Sequence, residues 1–291
     1  MGDAILSLSM IDSLALIAIV VIGLPHGAFD AAIYALWRAP TASADKSSNA
    51  LGLFRFLAIY SLCAIFIVYL WISFPLLSLA GFLAISAFHF GSGDANSRQA
   101  FHRHLQIIAH GGLVTLWLVI MHPQTVSLYF TALSGETAIM LVDFIQAMQW
   151  PWLLVVMLYG LRAMKDRVMQ SRFIELLLMM IAISYLPVLM GFALYFCAIH
   201  SRRHFYALYK VLRDTKSISV WPLALGLTAA SWAMGLAGLW LLTHYQAFAI
   251  SAIQILFIGL AALTVPHMIL VDGLYHPGKQ RPTNQSANHI G

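Results

Sequence analysis

Residues 248–272 read FAISAIQILFIGLAALTVPHMILVD, with no Asp, Glu, Lys or Arg before Asp272. Wound as a helix at about 1.5 Å per residue, such a run covers about 36 Å, more than the hydrocarbon core of a bilayer at about 30 Å. A backbone crossing lipid must satisfy its own N–H and C=O groups, which selects a helix, and the run lacks the strict alternation of a barrel strand. One residue does not belong in it. His267 sits near one end of an otherwise apolar span, where an ionisable side chain is costly and marks a candidate functional site.

The rest of the chain repeats this pattern. Of its 291 residues, 61% are hydrophobic and only 9% charged, with a mean hydropathy of +0.83. About 25% charged residues is ordinary for a soluble domain, so lipid must be the solvent for most of this surface. Apolar runs and Pro, Gly and polar breaks predict nine spans: 11–37, 51–73, 75–92, 104–121, 137–162, 172–186, 188–209, 220–243 and 248–272. The expected fold is an all-α polytopic membrane protein, a bundle of about nine transmembrane helices (eight to ten). Residues 1–272 form one catalytic domain, and 273–291 a polar, disordered tail. The first span is too long for a signal-peptide core and follows no basic segment, so it is expected to be retained.

Loop charge sets the orientation. Basic residues flank the first, third and fifth loops, cluster at 202–216 and return in the tail, while 122–136 and 244–247 have none. If the chain turns back at Pro187, every basic cluster falls on one side, as the positive-inside rule requires. The N-terminus is then outside and the C-terminus cytoplasmic, in the cell (inner) membrane. The formal charge of +5 reflects these loops rather than nucleic-acid binding. Cys63 and Cys197 both lie in apolar segments and read as inert thiols.

Twelve histidines are many beside 16 basic and 11 acidic side chains. His102, His104, His122, His244, His276 and His289 fall in loops, helix ends or the tail and read as solvated or interfacial. His26, His89, His110, His200, His204 and His267 fall in or at the ends of spans. Counted at about 1.5 Å per residue, these six lie in one layer in the inner half of the membrane. In HSRRH (200–204), His200 and His204 share a helix face and can reach one ion, although HxxxH alone is a weak signal. In GLPHGAFD (23–30), Asp30 follows His26 by four residues. It can accept a ring N–H of a metal-bound histidine, or make a plain His–Asp contact between packed helices. FHFGSGD (88–94) ends a helix with His89 and Asp94. Many neutral imidazoles without thiolates suit a borderline metal, iron or zinc alike. Phe88, Phe90, Tyr195, Phe196, Phe205 and Tyr206 crowd the histidines as tunnel walls or as ordinary packing.

With HGG (110–112) and VPHMILVD (265–272) added, these motifs, in this order from residue 23 to residue 272, resemble the Brp/Blh family of membrane-bound β-carotene 15,15′-dioxygenases. The resemblance implies cleavage of the central double bond of β-carotene by O2 to two all-trans-retinal. It implies a non-haem Fe(II) held by four histidines, which map onto His26, His89, His200 and His204. Asp30, Asp94, His110, His267 and Asp272 match further motif positions, as groups supporting the ligands or shaping the substrate. It also implies β-carotene taken from the lipid bilayer, and retinal supplied to a microbial rhodopsin.

Three other readings compete on the residues alone. A membrane di-iron desaturase or hydroxylase needs about eight histidines in HxxxH and HxxHH boxes, and this chain has one HxxxH and no HxxHH. A bis-histidine haem electron carrier would leave most of the buried histidines without a role. A transporter or proton relay needs ionisable groups spread across the membrane, whereas these gather in one layer.

Overall fold

The computed structural model describes residues 6–31, 33–34, 46–97, 99–206, 209 and 221–274, and all side chains within them except those of His26, residues 46–49 and residues 272–274. Among these residues every regular element is helical. The helices are α1 (Met10–Ala18), α2 (Pro25–Ala28), α3 (Lys46–Ser73), α4 (Pro75–Asp94), α5 (Ala100–Gly112), α6 (Leu118–Met121), α7 (Pro123–Ser134), α8 (Ile139–Ala147), α9 (Gln149–Ala163), α10 (Arg167–Tyr185), α11 (Val188–Tyr195), α12 (Trp221–Leu242) and α13 (Phe248–Met268). Four π-helical segments interrupt or extend them, at Ile19–Gly23, Leu113–Trp117, Phe196–Ser201 and Ile269–Leu274.

Six of these helices are long and apolar enough to cross a membrane: Ala50–Ser73, Pro75–Asp94, Ala100–Met121, Arg167–Tyr185, Trp221–Leu242 and Phe248–Val271. A seventh is counted if Glu136–Ala147 and Gln149–Ala163, bent by 41°, form one broken span. The expected count of nine is therefore not reached among the described residues. The first expected span, 11–37, is broken: the apolar helix Met10–Gly23 stops where Leu24 leads into Pro25. The span 188–209 is helical from 188 to 206, as α11, the π segment Phe196–Ser201 and residues 202–206 in succession, but it is not among the six. Apolar content reports that a segment is buried or in lipid, not that it is straight.

Two further features depart from the sequence reading or sharpen it. Residues 122–136, read as a loop, contain α7, opened by Pro123 at its first turn, where the missing N–H costs nothing. Its buried Val126, Tyr129, Phe130 and Leu133 recur at helical spacing, a signal masked by the polar residues between them. The break at Pro187 is a hairpin, as expected. Leu186 is extended, α11 starts at Val188, and a Cβ on Gly191 would lie 3.4 Å from Ile183, so the chain folds back on itself.

The surface explains the solvent. α3 and α12 are the least buried spans, and Ile59, Leu62, Ile65, Phe66, Met234, Leu236 and Trp240 stand exposed along them. Exposing such side chains to water forfeits about 1.5–3 kcal/mol apiece, whereas lipid accepts them. Indole and phenol groups tie these outer helices to the core: Trp71 donates to the Leu133 carbonyl at 2.9 Å and Trp232 to the Val20 carbonyl at 2.9 Å.

At the centre, α4 and α5 cross with their backbones nearly touching. A Cβ on Gly91 would stand 2.1 Å from the Ile107 carbonyl oxygen, and one on Gly111 would stand 2.1 Å from the Ala87 carbonyl oxygen. Small residues permit such crossings where lipid supplies no hydrophobic drive between helices. This contact sets the spacing of the helices that carry His89 and His110. Gly111→Ala is expected to force them apart and destabilise the protein by about 1–3 kcal/mol, read as a lower melting temperature in detergent.

Candidate functional site

α4 delivers His89 and, as its last residue, Asp94. The π segment Phe196–Ser201 and the helical residues 202–206 after it deliver His200 and His204. The last turn of α13 delivers His267, immediately after Pro266. These elements come from three distant parts of the chain, yet their rings meet. His89 and His200 have ring centroids 4.9 Å apart, His89 and His267 5.3 Å, and His204 and His267 5.1 Å. His89, His200 and His267 are buried. With Leu24, Gly27, Phe90, Phe196, Leu260, Leu263 and Thr264 they enclose a cavity with about 30 Å³ of free space. Leu24 and Gly27 flank His26, so the backbone of the fourth expected ligand passes the same cavity, although its side chain lies outside those described.

A carboxylate fixes one of these rings. Asp30, 2% exposed, accepts a hydrogen bond from His267 Nδ1 at 2.7 Å and another from the Tyr60 hydroxyl at 2.9 Å. The Tyr60 oxygen also lies 3.1 Å from the Leu263 carbonyl. Asp30 thus sits in a His–Asp contact between packed helices, and its described partner is His267 rather than the neighbouring His26. The pairing puts the His267 proton on Nδ1 and makes Nε2 the lone-pair nitrogen, the arrangement common for metal-bound histidine.

A second buried network adjoins the first. Asp94, 1% exposed, accepts from the Tyr195 hydroxyl at 2.9 Å and pairs with the Arg203 guanidinium, which also pairs with Glu175 on α10. His110 Nδ1 lies 3.7 Å from Asp94, and its Nε2 lies 3.5 Å from the Tyr159 hydroxyl. Tyr159 donates to the Met169 carbonyl at 3.2 Å. His110 is therefore buried within the network around Asp94. Outside both networks, His122, His104 and His244 bond to backbone carbonyls of Ile183, Ala100 and Trp240, as loop or helix-end histidines do.

The imidazoles fit a metal ion in their spacing. A metal–nitrogen bond of about 2.1 Å places the centroids of two ligand rings about 4.5–5.3 Å apart for bond angles between the octahedral and the tetrahedral. The three centroid separations fall within that range. Among the described residues, however, no three His, Cys, Asp or Glu side chains already bring their donor atoms into metal-binding geometry.

A sequence profile of the family described as "Beta-carotene 15,15'-dioxygenase" matches residues 17–275. The chain belongs to this family. A relative described as "Beta-carotene 15,15'-dioxygenase", from the uncultured marine bacterium 66A03, is 37% identical over 277 residues, covering 95% of this chain and 98% of its own. No solved structure matches.

Within this dioxygenase-family chain, the structure brings together His89, His200, His204 and His267, places Asp30 against the cluster, and puts Asp94 and His110 in the adjoining network. The side chains of His26 and Asp272 lie outside the described set. Four residues of these networks were not singled out from the sequence: Arg203, Glu175, Tyr60 and Tyr159. Arg203 entered only as a basic residue orienting the chain, and here it pairs with one buried and one half-buried carboxylate. Its place inside HSRRH, at the same depth as the histidines, was the available signal. Glu175 and Tyr60 gave none: Glu175 follows Arg172 by three residues, as a surface ion pair does, and Tyr60 is one of several aromatic residues in α3.

Proposed function

We propose that this chain is a membrane-embedded β-carotene 15,15′-dioxygenase that cleaves the central double bond of β-carotene with O2 to give two all-trans-retinal. The observation that carries the proposal is the cluster of motif histidines from three parts of the chain, packed ring to ring in an apolar helical bundle. Fe(II) is the metal proposed, held by His26, His89, His200 and His204, and it would supply the activation of O2. His267 is a fifth imidazole at the same site, oriented by Asp30 as a ligand would be.

The chain's own groups do the rest. Phe90, Phe196, Leu260 and Leu263 keep water from the imidazoles and present a surface that a hydrocarbon wets. The Asp94–Arg203–Glu175 network fixes the segment bearing His200 and His204 against α4 and α10, so that a double bond and the imidazoles are held in one geometry. Asp30, next to the cluster and bonded to His267, would offset part of the cationic charge that neutral imidazoles leave on a metal. The apolar outer face of α3 and α12 suits a protein set in lipid, where β-carotene dissolves and from which it would enter. The proposed setting is the cell membrane with the N-terminus outside and the C-terminus cytoplasmic, the retinal passing to a microbial rhodopsin.

The test is expression in bacteria that accumulate β-carotene, with and without an Fe(II) chelator. Loss of orange colour with appearance of retinal, blocked by chelation, is the expected result. Intact β-carotene around folded, iron-loaded protein would remove the substrate assignment, and haem absorption or two irons per chain would redirect it to the competing classes.

A further inference from the structure

Phe90 separates two cavities. On one side lie the imidazoles; on the other is an apolar cavity with about 70 Å³ of free space. α4 gives this second cavity Leu79, Phe82, Leu83, Ser86 and Phe90, one helix face over about 16 Å of rise. α7 and α11 close it, with Val126 and Phe192 among its walls. The partition is aromatic throughout. Phe90 touches the His200 ring at 4.8 Å, and Phe196, on the imidazole side, stacks on Phe192, on the apolar side, at 5.4 Å.

Ser86, Thr115 and Tyr129 bring hydroxyls to the otherwise apolar wall, and that of Thr115 bonds back to Gly111. Ser86 is buried, and its Oγ has no hydrogen-bond partner among the described residues. Other helical hydroxyls here bond back to the carbonyl four residues earlier: Thr115 to Gly111, Thr228 to Ala224 and Ser251 to Ala247. A buried hydroxyl left outside that habit needs a partner that the apolar wall does not supply.

We propose that this cavity receives one arm of the polyene and that Ser86 donates a hydrogen bond to the aldehyde oxygen formed at that arm's cut end. The inference rests on the dioxygenase reading. The substrate is hydrocarbon and offers Ser86 nothing. In the reaction the C=C and O=O bonds both break and each carbon takes one oxygen atom, so two aldehydes form with no further oxidant or reductant. The aldehyde of an arm lying in this cavity is at the histidine end. Ser86 is at that end too, three residues before His89 and four before Phe90. The hydroxyl thus discriminates product from substrate. An arm fills more than the free space and must pass the Phe90 partition, so Phe90 and Phe192 must turn on entry, as side chains commonly do on binding.

Two variants of the full-length protein test this. Val126→Phe fills the cavity from α7, which bears none of the clustered histidines. It is expected to slow cleavage of β-carotene by about ten-fold or more, with bound iron unchanged. It should spare, to within about three-fold, an apocarotenal shortened on one side but retaining the central double bond. Equal losses on the two substrates, or no loss on β-carotene, would overturn the cavity assignment. For Ser86→Ala the probe is all-trans-retinal added to the purified protein, read by its infrared carbonyl stretch. The parent protein should show the lower frequency, because a hydrogen bond weakens the C=O; identical frequencies would overturn the role of Ser86. Neither infrared outcome depends on turnover, whereas failure of the iron-loaded parent to cleave β-carotene sinks the dioxygenase reading itself.

Discussion

His200→Ala is expected to abolish retinal formation and strip most of the iron from the purified protein. Its ring packs into the cluster, 4.9 Å from His89, 4.8 Å from Phe90 and stacked on Phe196. Alanine removes one of the four proposed nitrogen donors, and the ring of His267, held by Asp30, is already placed by its own contacts with His89 and His204. Losing a group that merely supports a ligand costs about 10–100-fold in metal affinity or activity, so losing the ligand itself should exceed about 100-fold. The same result is expected for His89→Ala and His204→Ala, measured as retinal per protein and iron per protein. His122→Ala provides the contrast. That ring only bonds the Ile183 carbonyl at 2.7 Å, so iron content should be unchanged. Full activity in His200→Ala would remove it from the ligand set and make the cluster a packing motif.

Arg203→Met is expected to be the most damaging change outside the imidazoles. The guanidinium is 18% exposed and Asp94 only 1%, so methionine leaves a carboxylate in the interior with its countercharge gone. Breaking a buried pair in this way costs about 3–5 kcal/mol, because the remaining charge keeps its desolvation penalty. Arg203→Lys should not rescue it, since an ammonium cannot span Asp94 and Glu175 as the planar fork does. The double change Arg203→Met with Asp94→Asn should recover much of the lost stability. The measurements are melting temperature in detergent and retinal yield across the four proteins. If Arg203→Met melts like the parent, the network is ornamental and the segment bearing His200 and His204 is held by packing alone.

The sequence made the apolar helices legible before anything else, six of them long and apolar enough to cross a membrane. It also made the hairpin at Pro187 legible, through the placement of charges. What it hid was continuity. Residues 11–37 and 188–209 have the composition of spans, but the chain breaks at Leu24-Pro25 and winds as a π segment at Phe196–Ser201, and neither event changes hydropathy. α7 was hidden for the opposite reason, its apolar face being diluted by Gln124, Thr125 and Ser127. At the site, histidines were conspicuous because they are rare in lipid. The identity of their partners was not, since Asp30 lies four residues from His26 yet bonds His267, 237 positions later. Pairings of that range come from topology. Arg203 shows the converse hazard: a residue counted as a loop charge turns out to be internal, which also weakens its share of the orientation argument.

The four π segments lie against four of the histidine motifs. Ile19–Gly23 precedes Leu24-Pro25-His26, Leu113–Trp117 follows Gly112, Phe196–Ser201 contains His200, and Ile269–Leu274 follows His267 by one residue. Relative to an α ladder, each such bulge carries one surplus residue, and bulges of this kind gather at functional sites. A residue more or less turns everything beyond it by about 100° around the helix axis. At these places chain length therefore outranks chemistry. A substitution inside a bulge changes one side chain, but a single-residue deletion relaxes the bulge and swings the next histidine toward lipid. Insertions and deletions that a surface loop absorbs are here rotations of the active face.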